Sequence, residues 1–407
     1  MKTRFSNESP RNTTRPILLL CLLAAMLSSS PICYAQNLSG NNNAFACNLL
    51  RAINRQSEGS FVVSPISVTF MLGMLNAGAE GMTRQEITDV IGLDGSVGEI
   101  NEFCRKMILD ASQMDSTVTI KMANCIIANS ARGIILKPEY DDEMQHYYMA
   151  ETNTFNFGNS SALDKVNRWC NITTDGNIPS ILDKIDPQEV MYLLNAIYFK
   201  ANWTEKFNSS STRPMAFTLP DGSTRELKMM HGFRKAAYCS NNDYQMVYLP
   251  YGNQSYGMCI LLPVENKTTD DIIENLTAEE LERMIQSKRM RQVDILFPRF
   301  NTSSPHNLND LLSAMGMPRA FSERLAEFPN MALNAELYVN RMMQKARIEV
   351  NEQGTEASVV TMGAMRKKSV NIITDYVNFH AKRPFVYFII DSSTHSIFFM
   401  GTYRGEE

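Results

Sequence analysis

Seventeen residues near the C-terminus, EQGTEASVVTMGAMRKK from Glu352 to Lys368, constrain this chain more than any other segment. They open as small and β-branched residues and close on three consecutive cations. Ile348 and Val350 lie just upstream, and a second apolar strand signal, from Phe385 to Ile390, lies downstream. So weakly hydrophobic a run, ending in Arg366-Lys367-Lys368-Ser369, predicts an exposed loop open to proteolysis. Its first half nevertheless has the composition of a strand. In a strand alternate residues share a face. Thr355, Ala357, Val359, Thr361 and Gly363 are all small or β-branched, while Glu356 suits only the solvated side. No proline interrupts the run, so no ladder donor is lost. Gly354 supplies backbone freedom where the chain must bend.

The rest of the chain predicts one large α+β domain. Buried-strand candidates are apolar runs at 118–128, 190–199, 245–249, 258–262, 293–297, 341–350, 385–390 and 397–400. The last two are joined by a hairpin-type connection, Asp391 to His395. Helical patterns fall at 45–53, 66–77, 83–91, 99–112, 138–149 and 162–173. Ser64 and Pro65 form an N-cap and first-turn pair for the second of these, which is apolar nearly all round and should be buried on every side.

The N-terminus predicts a secretory leader. Lys2, Arg4, Arg11 and Arg15 precede the apolar run 17–27, and Cys33-Tyr34-Ala35 is a small-x-small cleavage site. A mature chain would begin at Gln36, with 36–43 a polar tail. Lipidation of Cys33 is the rival reading of the same segment. No later run reaches the length of a membrane span. The formal net charge of −4 gives no reason to expect nucleic acid as partner.

Of the cysteines beyond the leader, Cys47, Cys104, Cys125, Cys170, Cys239 and Cys259 are scattered, without zinc-ligand spacing, and read as small buried hydrophobes. Export would permit a disulfide among them without specifying one. There is no nucleophile elbow, phosphate loop or metalloprotease helix, and no metal or cofactor is expected. The five histidines (His146, His231, His306, His380 and His395) are dispersed and read as structural. Arg283, Lys288, Arg289 and Arg291 read as a solvated helix end.

Seven blocks in register resemble the serpin family and together span the mature chain. They are Phe61-Val-Val-Ser64-Pro65-Ile66-Ser67, the run from Leu75 to Thr83, and the run from Leu194 to Trp203 followed by Phe207. Phe297-Pro-Arg299-Phe300, then 311–322, 349–357 and Phe379 to Phe385 complete the set. The resemblance implies three β-sheets with eight or nine helices and a reactive-centre loop, in a protein that is not an enzyme. It implies a monomer that traps a protease covalently as an acyl complex. Residues 352–357 correspond to the hinge, with Glu352, Gly354, Thr355, Glu356 and Ala357 its working positions. Trp203 and Arg299 correspond to the breach, Arg299 standing where the family usually has a Lys partner for the hinge glutamate. Ser64, Ser67 and Asn195 correspond to the shutter, together with Gln344, where the family commonly has a His.

Family spacing from the hinge glutamate sets the reactive bond at Lys368–Ser369, with Met365, Arg366 and Lys367 as alternatives. A basic residue there implies trypsin-like serine proteases or Lys/Arg-selective cysteine proteases. Insertion would carry an attached enzyme roughly 50 Å. Net of chain ordering, the gain in backbone pairing is on the order of 10 kcal/mol. The alternative within the resemblance is a non-inhibitory carrier or folding helper.

Overall fold

The computed structural model describes residues 31–93, 95–334, 336–355 and 375–406. The leader up to residue 30 and the loop positions Glu356, Ala357, Met365, Arg366, Lys367, Lys368 and Ser369 lie outside the described residues. These form nine α-helices and fifteen strands. In chain order they begin with α1 (Pro31–Asn54), β1 (Phe61–Val63), α2 (Pro65–Gly78), α3 (Gly81–Ile91), α4 (Val97–Gln113), β2 (Val118–Asn129), α5 (Pro138–Tyr148) and β3 (Glu151–Phe155). Next come α6 (Ala162–Thr173), β4 (Met191–Asn202), β5 (Arg213–Thr218), β6 (Thr224–Ser240), β7 (Tyr244–Pro250), β8 (Tyr256–Pro263), α7 (Thr269–Asn275) and α8 (Ala278–Ser287). The chain ends with β9 (Arg289–Pro298), β10 (Phe300–Asn307), α9 (Asn309–Met315), β11 (Arg341–Asn351), β12 (Gly354–Thr355), β13 (Val377–His380), β14 (Phe385–Asp391) and β15 (Ile397–Tyr403).

One expectation fails at the N-terminus. Residues 36–43 are not a tail but part of α1. Asn42 and Asn43 are buried. Each finds a partner that satisfies its amide, the Thr69 hydroxyl at 2.6 Å and the His395 carbonyl at 2.9 Å. Polar composition hid a helix whose asparagines bond inward.

Hydrogen bonding joins the strands into two networks rather than three sheets. The larger orders as β1-β15-β14-β8-β7-β6-β9-β13, with β5 on β6. The seventeen-residue β6 pairs along its length with β5, then β9, then β7, and so ties together what the resemblance counts as two sheets. The smaller network orders as β10-β11-β12-β4-β2-β3.

The smaller sheet has two covered faces, which explains the near-continuous hydrophobicity of β4. Its alternate residues Leu193, Ile197, Phe199 and Ala201 enter the main core. Tyr192, Leu194, Ala196 and Tyr198 enter a second cluster beneath α6, with Val166, Cys170, Ile178 and Leu182. On the main-core side, every residue of α2 is buried, as its all-round apolarity demands. All six cysteines beyond the leader are unpaired, and five are buried. Burial pushes the thiols of Cys47, Cys104 and Cys259 up to about 12.

Candidate functional site

The smaller sheet contains one seam. β11 and β4 run parallel and pair directly from Arg341–Tyr192 to Arg347–Tyr198. Beyond that point β12 lies between them, antiparallel to both, with Gly354 opposite Asn202 and Thr355 opposite Ala201. The first two residues of the expected hinge strand are therefore already in the sheet.

Glycine is required at the first of these. Gly354 has φ +152°, and a Cβ there would sit 2.0 Å from the Ala201 carbonyl oxygen. Thr355 is wholly buried, and its hydroxyl bonds Tyr251 Oη at 2.8 Å. Tyr251 in turn stacks on Trp203, ring centroids 4.4 Å apart and 10° from parallel. Trp203 holds the turn into β12 at two points, donating its backbone N–H to the Gln353 carbonyl at 2.8 Å and its Nε1–H to the Asn351 carbonyl at 2.9 Å.

Glu352 closes this corner. Its carboxylate accepts from Arg299 Nε at 2.7 Å, from Arg299 Nη2 and from the Thr212 hydroxyl. Its backbone carbonyl accepts from Phe207 N–H at 2.9 Å. Burial pushes the carboxyl up, but the Arg299 and Thr212 hydrogen bonds outweigh it and hold Glu352 below the ordinary carboxylate value. The guanidinium thus performs the pairing expected of a lysine, with two nitrogens on one oxygen.

Lower in the sheet, register places four polar side chains in one row across four strands. Asn124 on β2 is opposite Asn195 on β4, Asn195 opposite Gln344 on β11, and Gln344 opposite His306 on β10. Asn195 donates to Asn124 Oδ1 at 2.8 Å. Gln344 makes a reciprocal pair with the Ser64 backbone, accepting from its N–H and donating to its carbonyl, both at 2.9 Å. His306 Nε2 meets the Val62 carbonyl at 2.8 Å, and Ser304 accepts from Val62 N–H. Side chains of β10 thus zip onto the backbone of β1 and that of Gln344 onto Ser64 just after it, while Asn195 is tied to β2. Among the described residues, no side-chain hydrogen bond joins Asn195 to Gln344 across the seam. Asn195 Oδ1 and Ser67 Oγ are buried there without a partner. The Ser64 hydroxyl accepts from Ser67 N–H at 3.4 Å as the cap of α2.

On the sheet's opposite face a strap crosses the same seam. Arg341, Lys345 and Arg347 lie at even spacing on β11 and so share that face. Lys345 Nζ reaches the Ser180 carbonyl at 2.8 Å, Arg347 the Asn177 carbonyl at 3.0 Å, and Arg341 the Glu189 carboxylate at 3.0 Å. Residues 177–189 are anchored on the β4 side through Ile178, Ile181 and Leu182. Separation of β11 from β4 by one strand spacing, about 4.8 Å, must break these bonds or move the strap.

Sequence reasoning singled out Ser64, Ser67, Asn195, Gln344, Trp203, Arg299, Glu352, Gly354 and Thr355, and the structure gathers them along this one seam. It missed Asn124, Thr212, Tyr251, Ser304 and His306. An amide set between Ala123 and the apolar run from Cys125 to Ala128 was a usable signal for Asn124. Thr212 and Tyr251 carry none, because only the tertiary fold brings them near the hinge.

Comparison with known proteins follows from this geometry. The profile of the Serpin (serine protease inhibitor) family matches residues 40–404. The chain belongs to the serpin family. An uncharacterized serpin-like protein of Thermococcus kodakarensis is 31% identical over 362 residues, covering 88% of this chain and 83% of its own. The leukocyte elastase inhibitor of Equus caballus is 29% identical, covering 90% of this chain and 99% of its own. Among solved structures, the thermophilic serpin tengpin in its native state superposes with TM-score 0.84 at 26% identity, over 91% of this chain and 94% of its own. Human thyroxine-binding globulin with its ligand, at 23% identity and TM-score 0.82, shares the fold over 91% of this chain and 98% of its own.

Two predictions follow from the corner. Gly354→Ala should expel β12 and uncouple the Trp203–Tyr251 stack, at a cost exceeding about 1 kcal/mol. The readout is a red shift of Trp203 emission and faster exchange of its amide; an unchanged spectrum would refute the close approach. Because Glu352 is held below its ordinary value of 4.5, its contribution is fully present above that pH and is lost as pH falls through the lower folded value. Exchange at the Phe207 amide should therefore accelerate on acidification below about pH 4.5, and Glu352→Gln should flatten that dependence.

Proposed function

We propose that this serpin is a single-use inhibitor of Lys/Arg-specific proteases, trapping the enzyme by completing the insertion that β12 begins. The observation that carries the reading is the register of β12. Continued one for one from Gly354–Asn202 and Thr355–Ala201, the same pairing sets Ser358 opposite Tyr198, where the direct β4–β11 ladder begins. It brings Met365 opposite Met191, the first residue of β4. The segment before Lys368 matches the length of the sheet. One parallel ladder would be exchanged for antiparallel ladders on both sides, the stronger pairing per residue.

In this reading the protease's nucleophile attacks the Lys368 carbonyl, the bond to Ser369 breaks, and Ser369 leaves as the new amino terminus. The ester to Lys368 is then drawn away with the inserting strand. Loss of a single oxyanion-hole donor costs about 10²–10³ in rate, so modest distortion stalls deacylation. Thr355, Ala357, Val359, Thr361 and Gly363 share the face that Thr355 already buries. Thr361 falls between Asn195 and Gln344 in the continued register and would bring a hydroxyl to the unpartnered Asn195 Oδ1 and Ser67 Oγ. The likeness to the leukocyte elastase inhibitor supports an inhibitory role, and the basic triplet 366–368 supports the Lys/Arg preference over an elastase-like one at Met365. The leader pattern of residues 1–35 supports an exported protein acting on extracytoplasmic proteases. Among the described residues no helix is long and apolar enough to cross a membrane.

Incubation with a panel of trypsin-like serine and Lys/Arg-selective cysteine proteases should give an SDS-stable complex cut at Lys368–Ser369. Lys368→Ala should weaken inhibition of those enzymes selectively, by tenfold or more. Cleavage without any stable complex would refute trapping. Thr361→Val should leave the rate of loop attack unchanged while raising the number of inhibitor molecules consumed per enzyme trapped. An unchanged stoichiometry would remove the role given to its hydroxyl.

A further inference from the structure

Where the chain passes from the larger strand network to the smaller, at Arg299, the structure holds a cavity of about 610 Å³. It opens between β5 and β6 on one side and the upper ends of β10 and β11 on the other. Its floor is apolar, made by the buried residues Leu227, Phe300, Val350 and Tyr403. The Phe300 and Tyr403 rings lie with centroids 4.9 Å apart and join that floor to the aromatic core. A space of this size, apolar beneath and set with a few polar groups, has the form of a small-molecule site.

The charged groups around the floor fall into two sets. Glu349 is engaged by Arg347 at 3.4 Å, and Glu406 accepts the Ser60 N–H at 2.9 Å. Lys228, Glu226 and Asn301 are exposed, and their side chains bond to nothing among the described residues. Arg299 is half committed. Glu352 takes its Nε and Nη2, while Nη1 has no partner among the described residues and the side chain is 39% exposed. The Arg299 backbone N–H donates to the Lys228 carbonyl at 2.9 Å, so the two cations stand side by side. Glu226 lies two residues before Lys228 on β6, on the same face and about 7 Å along the strand. Opposite them on β5 are Ala216 and Pro214, which carry no charge to neutralise either.

We infer that this cavity binds a short peptide, of dipeptide length, by its two charged ends. The terminal carboxylate meets Lys228 and Arg299 Nη1, the terminal ammonium meets Glu226, and the Asn301 amide serves the peptide bond. A large apolar side chain covers the floor. Two extended residues span about 7 Å, which is the spacing of Lys228 and Glu226 along the strand. A single amino acid is too short to satisfy both, and a simple carboxylate leaves Glu226 unanswered. Because the bound carboxylate shares a guanidinium with Glu352, peptide binding and the hinge contact weaken each other reciprocally. Short peptides are products of proteolysis, and through Arg299 their binding reaches the residues that fix the entry to β12.

Titration calorimetry on the full chain tests this with the dipeptide alanyl-phenylalanine, its N-acetyl form, its C-terminal amide and alanyl-alanine. The unmodified dipeptide should bind saturably, and each of the other three about tenfold or more weakly. Glu226→Gln should remove the penalty for acetylation, and Lys228→Gln most of the penalty for amidation. Both positions are exposed, and an unchanged melting temperature checks that the variants fold. Glu352→Gln should raise affinity several-fold by removing the charge that competes for Arg299. No saturable binding at millimolar concentration, or binding indifferent to Glu226→Gln and Lys228→Gln, would overturn the site. Equal binding of the acetylated form would overturn the peptide assignment in favour of a simple carboxylate. An affinity that Glu352→Gln does not raise would overturn the link to the hinge. No protease enters these measurements, so their outcome is independent of trapping.

Discussion

The parallel ladder between β4 and β11 is the constraint on which the rest of this structure turns. Among the described residues, no side-chain hydrogen bond reinforces this pairing of two central strands on the core side. Asn195 is committed to Asn124, and Gln344 to the Ser64 backbone, so each strand is held to its own neighbour. The polar row is continuous in register but divided in its bonding. A sheet built this way can part along that line while the packing on either side stays intact. Above the line the parting has begun, with Gly354 and Thr355 in place.

What opposes further opening lies on the other face and at the corner. The β11 cations hold the strap 177–189 across the seam, and the Glu352–Arg299 pair with the Trp203–Tyr251 stack fixes the entry to β12. These are hydrogen bonds and ion pairs, individually worth about 1 kcal/mol or a few. The core beneath them is apolar and close-packed. Resistance to opening is therefore composed of many modest polar contacts, which yield stepwise, rather than of core packing, which would yield all at once.

The sequence made much of this legible, and where it did not the reasons are physical. Strands buried on both faces announce themselves as apolar runs, so β2, β4, β8, β11, β14 and β15 were readable to within a few residues. β5, β6, β10 and β13 were not, because one or both of their faces meet water and their composition is mixed. α7 and α8 escaped for a related reason: their apolar stripes are short and follow acidic first turns that hold Asp271 and Glu280. The hinge residues were found through their local chemistry, whereas Thr212 and Tyr251 act at long sequence separation and leave no local mark. Histidines read only as structural prove to have specific roles, His306 on the β1 backbone and His231 and His380 on Asp294.

The central claim is that the molecule as first folded is not in its lowest-energy arrangement, and that severing the chain near Lys368 lets it reach one. Comparing the melting temperature of the intact protein with that of the protein nicked at 365–369 tests this most directly. A gain on the order of 10 kcal/mol would raise the midpoint by roughly 10–20 °C or more. A nicked protein that melts at the intact protein's temperature, or below it, would contradict the account.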